Sequence, residues 1–240
     1  MFVSMKKKDY FHPFIIWILL LLWYLIFADK FFSAPQSKLD NFVTEQSFWF
    51  FNQPPKQTEN ITIVAIDEAS RRHLDLKWPW KRSITARLIR DIASYSPEVI
   101  GLDIVFSGKS EEEEDKALIS ALKSHPKVVL SYVLHRDFEE KPAKDFIKAT
   151  SSVGFLNKPL HGGVVEKART FYAYNEKEVA FSLEVEIFLS YLGLEKAQVR
   201  IDGQGIFLND ELLFPSQKGI LPLNYLVHPS RFKIIPASSV

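Results

Sequence analysis

Ile61-Thr62-Ile63-Val64-Ala65-Ile66-Asp67 opens the stretch that decides the fold, and Val99-Ile100-Gly101-Leu102-Asp103-Ile104-Val105-Phe106 closes it. Both runs are rich in β-branched residues and bounded by polar or turn residues, the signature of strands. Between them, Ile84, Leu88, Ile89, Ile92 and Ala93 recur at helical spacing, with Ser83 placed to cap. The spacing predicts strand, helix, strand, with both strands apolar on each face as in a parallel sheet covered on both sides. Asp67 falls at the end of the first strand. Asp103 is flanked by apolar residues, so the sequence predicts a buried carboxylate that needs a cation. Arg82, beside a helix start where its charge opposes the helix dipole, is the expected partner.

Working outward, Ser110 and Glu113 fit a capping box, and the acidic run Glu111–Asp115 complements the start of a helix carrying Ala117, Leu118, Ala121 and Leu122. Lys127–Leu134 reads as a third strand, giving βαβαβ. Asn175 and Glu178 form a further capping box for an almost wholly apolar helix, Val179–Leu192, closed by Gly193. Val199–Ile201, Ile206–Leu208 and Leu212–Phe214 follow as short strands joined at Asp202-Gly203 and Asn209-Asp210. Gly219–Leu226 and Phe232–Ile235 read as two more. The fold class is α/β: a mostly parallel central sheet with helices on both faces, and a smaller antiparallel portion in the C-terminal half.

The N-terminus reads differently. Lys6, Lys7 and Lys8 precede an almost unbroken apolar run from Phe11 to Ala28, with His12 and Pro13 at its entry end. Residues 11–28 would span about 27 Å at ~1.5 Å per residue, close to a hydrocarbon core. With the lysines first, residues 1–10 are expected in the cytoplasm and the remainder outside. A cleaved signal peptide is the alternative, but bulky residues occupy the third position before each alanine cut, so an uncleaved anchor is expected. Residues 29–58 connect this span to the domain and include a short aromatic helix with Phe42, Phe48, Trp49, Phe50 and Phe51; residues 59–240 form the domain itself.

Composition narrows the chemistry. A net charge of +1 gives no general attraction to nucleic acid, and the chain has no cysteine, hence no disulfide framework or thiol chemistry. Gly108-Lys109-Ser110 lacks the glycine that a phosphate loop needs five places earlier, where Asp103 stands. The six histidines include no His-x-x-x-His pair, and no cofactor is expected. The residues left for a site are Asp67, Glu68, Ser70, Trp78, Trp80, Arg82 and Asp103. They read either as a ligand pocket beyond the carboxyl ends of the strands or as an internal ion pair with a tryptophan lid on the core.

With those residues quoted, the chain resembles a family. Ile-Val-Ala-Ile-Asp-Glu-Ala-Ser (63–70), Trp-Pro-Trp-Lys-Arg (78–82) and Gly-Leu-Asp-Ile-Val-Phe (101–106), in this order behind an N-terminal anchor, resemble the type-2 CHASE extracytoplasmic sensor domain of bacterial receptors. The segment Val164–Ala173 departs from it, lacking the Asp-rich, Gly-containing turn of that family. The resemblance implies a non-catalytic sensory input domain on the periplasmic or extracellular side of the plasma membrane. Its partners would be the membrane, an undefined small ligand or protein, and a cytoplasmic cyclase or kinase output module outside these 240 residues. It also implies that the domain is incomplete at its C-terminus. Two further readings are a periplasmic assembly module without ligand and a metal-dependent enzyme using Asp67 and Asp103.

Overall fold

In the computed structural model, residues 60–135, 138–157, 167–174, 178–223 and 232–240 are described. They belong to one of the chain's two compact units, residues 57–223 with 229–240. The expected span, 11–28, and the aromatic helix before Pro54 lie outside the described residues.

A parallel sheet forms the centre. Strands β2 (Ile100–Leu102), β3 (Val128–Leu134) and β5 (Ser152–Phe155) lie side by side, with β3 in the middle and a two-residue strand, β4 (Glu139–Glu140), antiparallel on its far end. Helix α3 (Glu112–Leu122) crosses from β2 to β3, and α4 (Lys144–Lys148) lies between β4 and β5. The alternation of β3 settles which residues face which layer. Ile100, Leu102, Val128 and Leu130 share one face and pack with Ala86 and Ile89 of α2 (Arg82–Ser94), Leu118, Ala121 and Leu122 of α3, and Phe146 and Ala149.

The opposite face is built of small residues. Register places Gly101, Val129 and Ser152 on it, then Ser131 beside Gly154. Helix α5 (Leu183–Leu192) packs here at close range. A Cβ on Gly154 would lie 2.5 Å from the Leu183 Cα, and one on Gly101 would lie 2.3 Å from Ile187 Cδ1. The other side of α5 carries Val185 and Leu189 into a second core with Phe171, Phe181 and Ile206. Thus α5 is central, as its all-round apolar sequence predicts. Gly193 closes it at φ 69°, the left-handed conformation glycine tolerates best.

The second core rests on the meander β9 (Val199–Asp202), β10 (Gly205–Leu208) and β11 (Glu211–Pro215), antiparallel throughout as expected. Strands β6 (Lys167–Arg169) and β12 (Ile220–Pro222) pair antiparallel, as do β7 (Phe171–Ala173) and β8 (Val179–Phe181). The domain is therefore mixed α/β, with a central parallel sheet covered on both faces, a separate parallel pair and several antiparallel ladders.

Three expectations are corrected. The first strand, β1 (Thr62–Ala65), does not pair with β2; it runs parallel to the last strand, β13 (Lys233–Pro236), in a separate two-stranded sheet. Its first two residues are exposed, so it is not covered on both faces. A parallel pair needs a long crossover of any length above about a dozen residues, so adjacency in sequence does not name the partner. The βαβαβ pattern exists one step later, as β2-α3-β3-α4-β5. Second, Val179–Phe181 is extended and pairs with β7, so α5 begins only at Leu183. Ser182 is its cap, its Oγ accepting from the Val185 N–H at 3.4 Å, in place of Asn175 and Glu178. Third, α3 is capped from Glu111 without a Ser110–Glu113 box, because the Ser110 N–H turns instead to Asp115.

Candidate functional site

The Trp-Pro-Trp-Lys-Arg-Ser segment forms a corner before α2. The Trp78–Pro79 peptide is cis. Trp80 is 8 % exposed and joins the core, while Trp78 is 47 % exposed and meets it edge to face at 6.1 Å between centroids. Helix α2 begins at Arg82 after Lys81, which offers no side-chain cap. The open N–H groups of its first turn need another acceptor, and α3 supplies it. Glu114 accepts from the Ser83 N–H through Oε2 at 2.7 Å and from the Ser83 hydroxyl through Oε1 at 2.9 Å. The hydrogen bond from the Ser83 N–H, more than any other influence, holds the Glu114 carboxyl below its usual range. Its negative charge also sits where the α2 dipole is positive.

Arg82 is the hub of the same junction. Its Nη1 donates to Asp115 Oδ1, while Nη2 donates to the Ser107 and Gly108 carbonyls at 3.1 and 3.2 Å. The guanidinium carbon lies 4.9 Å above the Phe146 ring centroid. Asp115 in turn accepts from the Ser110 N–H at 3.1 and 3.3 Å. The side chains of Arg82 and Asp115 are 12 % and 16 % exposed. One ion pair thus ties the starts of α2 and α3, the loop 107–110 and α4 together. Arginine suits this position because its planar fork reaches a carboxylate and two carbonyls at once.

Asp103 is not the partner of Arg82. It is exposed, and no hydrogen bond or ion pair among the described residues engages it. The strand ends at Leu102, so Asp103 continues the buried–exposed alternation of Ile100, Gly101 and Leu102 on its exposed phase. Its apolar neighbours in sequence enter the core without it. The pairing and the buried carboxylate expected from sequence are both overturned by this geometry.

The remaining candidates gather at the end of β1. Asp67 caps helix α1 (Glu68–Leu74), accepting from the Ser70 N–H at 2.8 Å, and this bond foremost lowers its pKa. Ser70 is fully buried; its hydroxyl donates to the Ala65 carbonyl and accepts from the Ser238 N–H, each at 3.3 Å. It therefore links β1, α1 and the C-terminal turn. Glu68 is exposed and forms ion pairs with Arg71 and Arg72.

The seven residues thus divide. Asp67, Ser70, Trp80 and Arg82 have internal tasks, Glu68 pairs with arginines on the surface, Trp78 is half-exposed against Trp80, and Asp103 is exposed and unengaged among the described residues. Glu114 and Asp115, which complete the corner, were hidden in an acidic run that already had an explanation as a helix start. The available signal was an arginine and an uncapped helix start facing two adjacent carboxylates one element later. No group of three or more His, Cys, Asp or Glu able to hold a metal occurs among the described residues.

These features define the class: a mixed α/β domain whose signature motifs brace helix starts and strand ends. The chain belongs to the CHASE2 domain family, whose model matches residues 15–240. CHASE2 is a sensory domain family found in signalling receptors. No curated protein and no solved structure matches the chain.

Proposed function

We propose that this chain is the extracytoplasmic input module of a bacterial receptor, held by one span at residues 11–28 with its N-terminus in the cytoplasm. The observation that carries the reading is the family match, which extends from residue 15, inside the apolar run, to residue 240. The lysines ahead of that run and the motif corner around Arg82 support it. No helix among the described residues is long and apolar enough to cross a membrane.

The input is a small ligand or a protein, received where the motif set is exposed: Asp103 just past the end of β2, and Trp78 at the corner before α2. The output partner is a cytoplasmic cyclase or kinase module. Asp67 commits one carboxylate oxygen, Oδ1, to the α1 cap, which weighs against a two-aspartate metal enzyme. A protein partner without a small ligand is favoured by one feature. Ile63 and Ile234 are register neighbours on β1 and β13, and both are exposed, as is Ile61. Fusing alkaline phosphatase after Val240 tests the placement: the fusion is expected to be active in intact cells. Inactivity, with fluorescence from a green fluorescent protein fused at the same point, would reject it.

A further inference from the structure

Glu186 stands out because it lies in the interior with a single cation. It sits on α5 between Leu183, which packs on Gly154, and Ile187, which packs on Gly101, so it faces the small-residue side of the parallel sheet. It is 2 % exposed. A carboxylate placed there needs compensation. Lys196 provides it from the 3-10 turn Lys196–Gln198 that leads into β9, with Nζ 2.5 Å from Glu186 Oε1. The lysine itself is 47 % exposed, and its ammonium lies 5.7 Å from the Phe181 ring centroid. One end of this pair is therefore dry and the other can leave for water.

We propose that Glu186 and Lys196 form a proton-operated latch that fastens the β9–β11 meander to α5 and opens when Glu186 is neutralised. The geometry supplies each part. The dry end holds a carboxyl next to the Ser152 hydroxyl; Ser131 shares the sheet face that α5 covers, and its buried Oγ has no hydrogen-bond partner among the described residues. A protonated Glu186 carries an O–H that such oxygens can accept, so the neutral form remains housed. Neutralisation removes the Coulomb attraction on Lys196, and hydration then favours the open position.

The other charged groups around Glu186 have partners of their own. From β3, the Tyr132 hydroxyl is pushed up to about 12, chiefly by burial and then by the charges of Glu139 and Glu186. Tyr174 donates to Glu139, and Lys141 pairs with Glu139, so their charges are committed elsewhere. From β9, Arg200 pairs with Asp202 at 2.5 Å and lies over Phe207. β2 contributes Gly101 and β5 contributes Ser152, neither of them charged. Burial holds the Glu186 carboxyl above its ordinary range, outweighing the opposing influence of Lys196. The sign follows: the folded state binds this proton more tightly than the unfolded state does, so acidification strengthens this group's contribution to folding while it opens the latch. The domain stays folded as the meander loosens. The inference stands on the α5 interface and is independent of membrane placement.

Hydrogen exchange on the full chain in detergent micelles tests it, read on peptides covering 194–202 and corrected for the intrinsic pH dependence of exchange. Protection there is expected to fall about five- to tenfold as pH is lowered from neutrality into the ordinary glutamate range, while protection of β3 holds. Glu186→Gln should remove the pH step, and Lys196→Met should show low protection at both ends of that range. Protection at 194–202 that does not change with pH in the unmodified chain would overturn the latch. So would a pH step that survives in Glu186→Gln.

Discussion

Replacing Asp115 by alanine tests the corner around Arg82 most sharply. The substitution removes the acceptor of the Arg82 Nη1 bond and of the Ser110 N–H, and leaves a guanidinium that is 12 % exposed without its counter-charge. Breaking a fully buried pair costs about 3–5 kcal/mol. Here both partners keep some water contact, and Arg82 retains the Ser107 and Gly108 carbonyls, so about 2–3 kcal/mol is expected. For a domain of this size that lowers the melting temperature by roughly 4–12 °C. Arg82→Met should cost a similar amount. The double variant should cost less than the sum, with a coupling of at least about 1 kcal/mol. Asp103→Ala, at an exposed and unengaged position, should change stability by about 0.5 kcal/mol or less. Urea unfolding of the full chain in micelles, followed by tryptophan fluorescence, measures all four. An Asp103→Ala loss equal to that of Asp115→Ala, or strict additivity of Arg82→Met and Asp115→Ala, would refute the reasoning.

Three further outcomes follow from the same geometry. Gly154→Ala should destabilise by about 1–3 kcal/mol, because the new methyl meets backbone atoms of Leu183 and Ser182. Gly101→Ala should cost less, because it meets the movable end of Ile187; paired melting curves decide the order. In a spectrophotometric titration at alkaline pH, one tyrosine should ionise near 12 and disappear in Tyr132→Phe; a profile unchanged by that substitution would count against its burial. Asp67 has a depressed folded pKa, so its contribution is present above the ordinary aspartate range and is lost as pH falls through the folded value. Asp67→Asn should flatten the acid limb of the stability curve, and an unaltered limb would speak against the cap.

Much of the architecture was legible because local patterns carry it. The β3 run is apolar on both faces and is buried on both. The stretch before Gly193 is apolar nearly all round and became the helix between the parallel sheet and the second core. The turn at Asn209-Asp210 joins β10 to β11 as read, with Asn209 at φ 54°. What was not legible is long-range pairing. β1 finds its partner about 170 residues away, and nothing in the local pattern of either strand names the other. The candidate site failed in the same way. Asp103 looked buried because its neighbours are apolar, yet the strand ends at Leu102 and Asp103 lies exposed just beyond it. Arg82 took its carboxylate from the next helix, where five acidic residues in a row concealed the two that matter. Ser83 looked like a cap, but the helix starts one residue earlier, so its N–H and hydroxyl both donate to Glu114.

The central claim is placement outside the cytoplasm, and the absence of cysteine from the chain makes one measurement direct. Arg87 lies on α2 with its side chain 84 % exposed, so Arg87→Cys creates a single accessible thiol. A membrane-impermeant maleimide applied to intact cells with permeabilised outer membranes should label this variant as fully as it does after lysis. Labelling that appears only after lysis would put the domain in the cytoplasm and contradict the account.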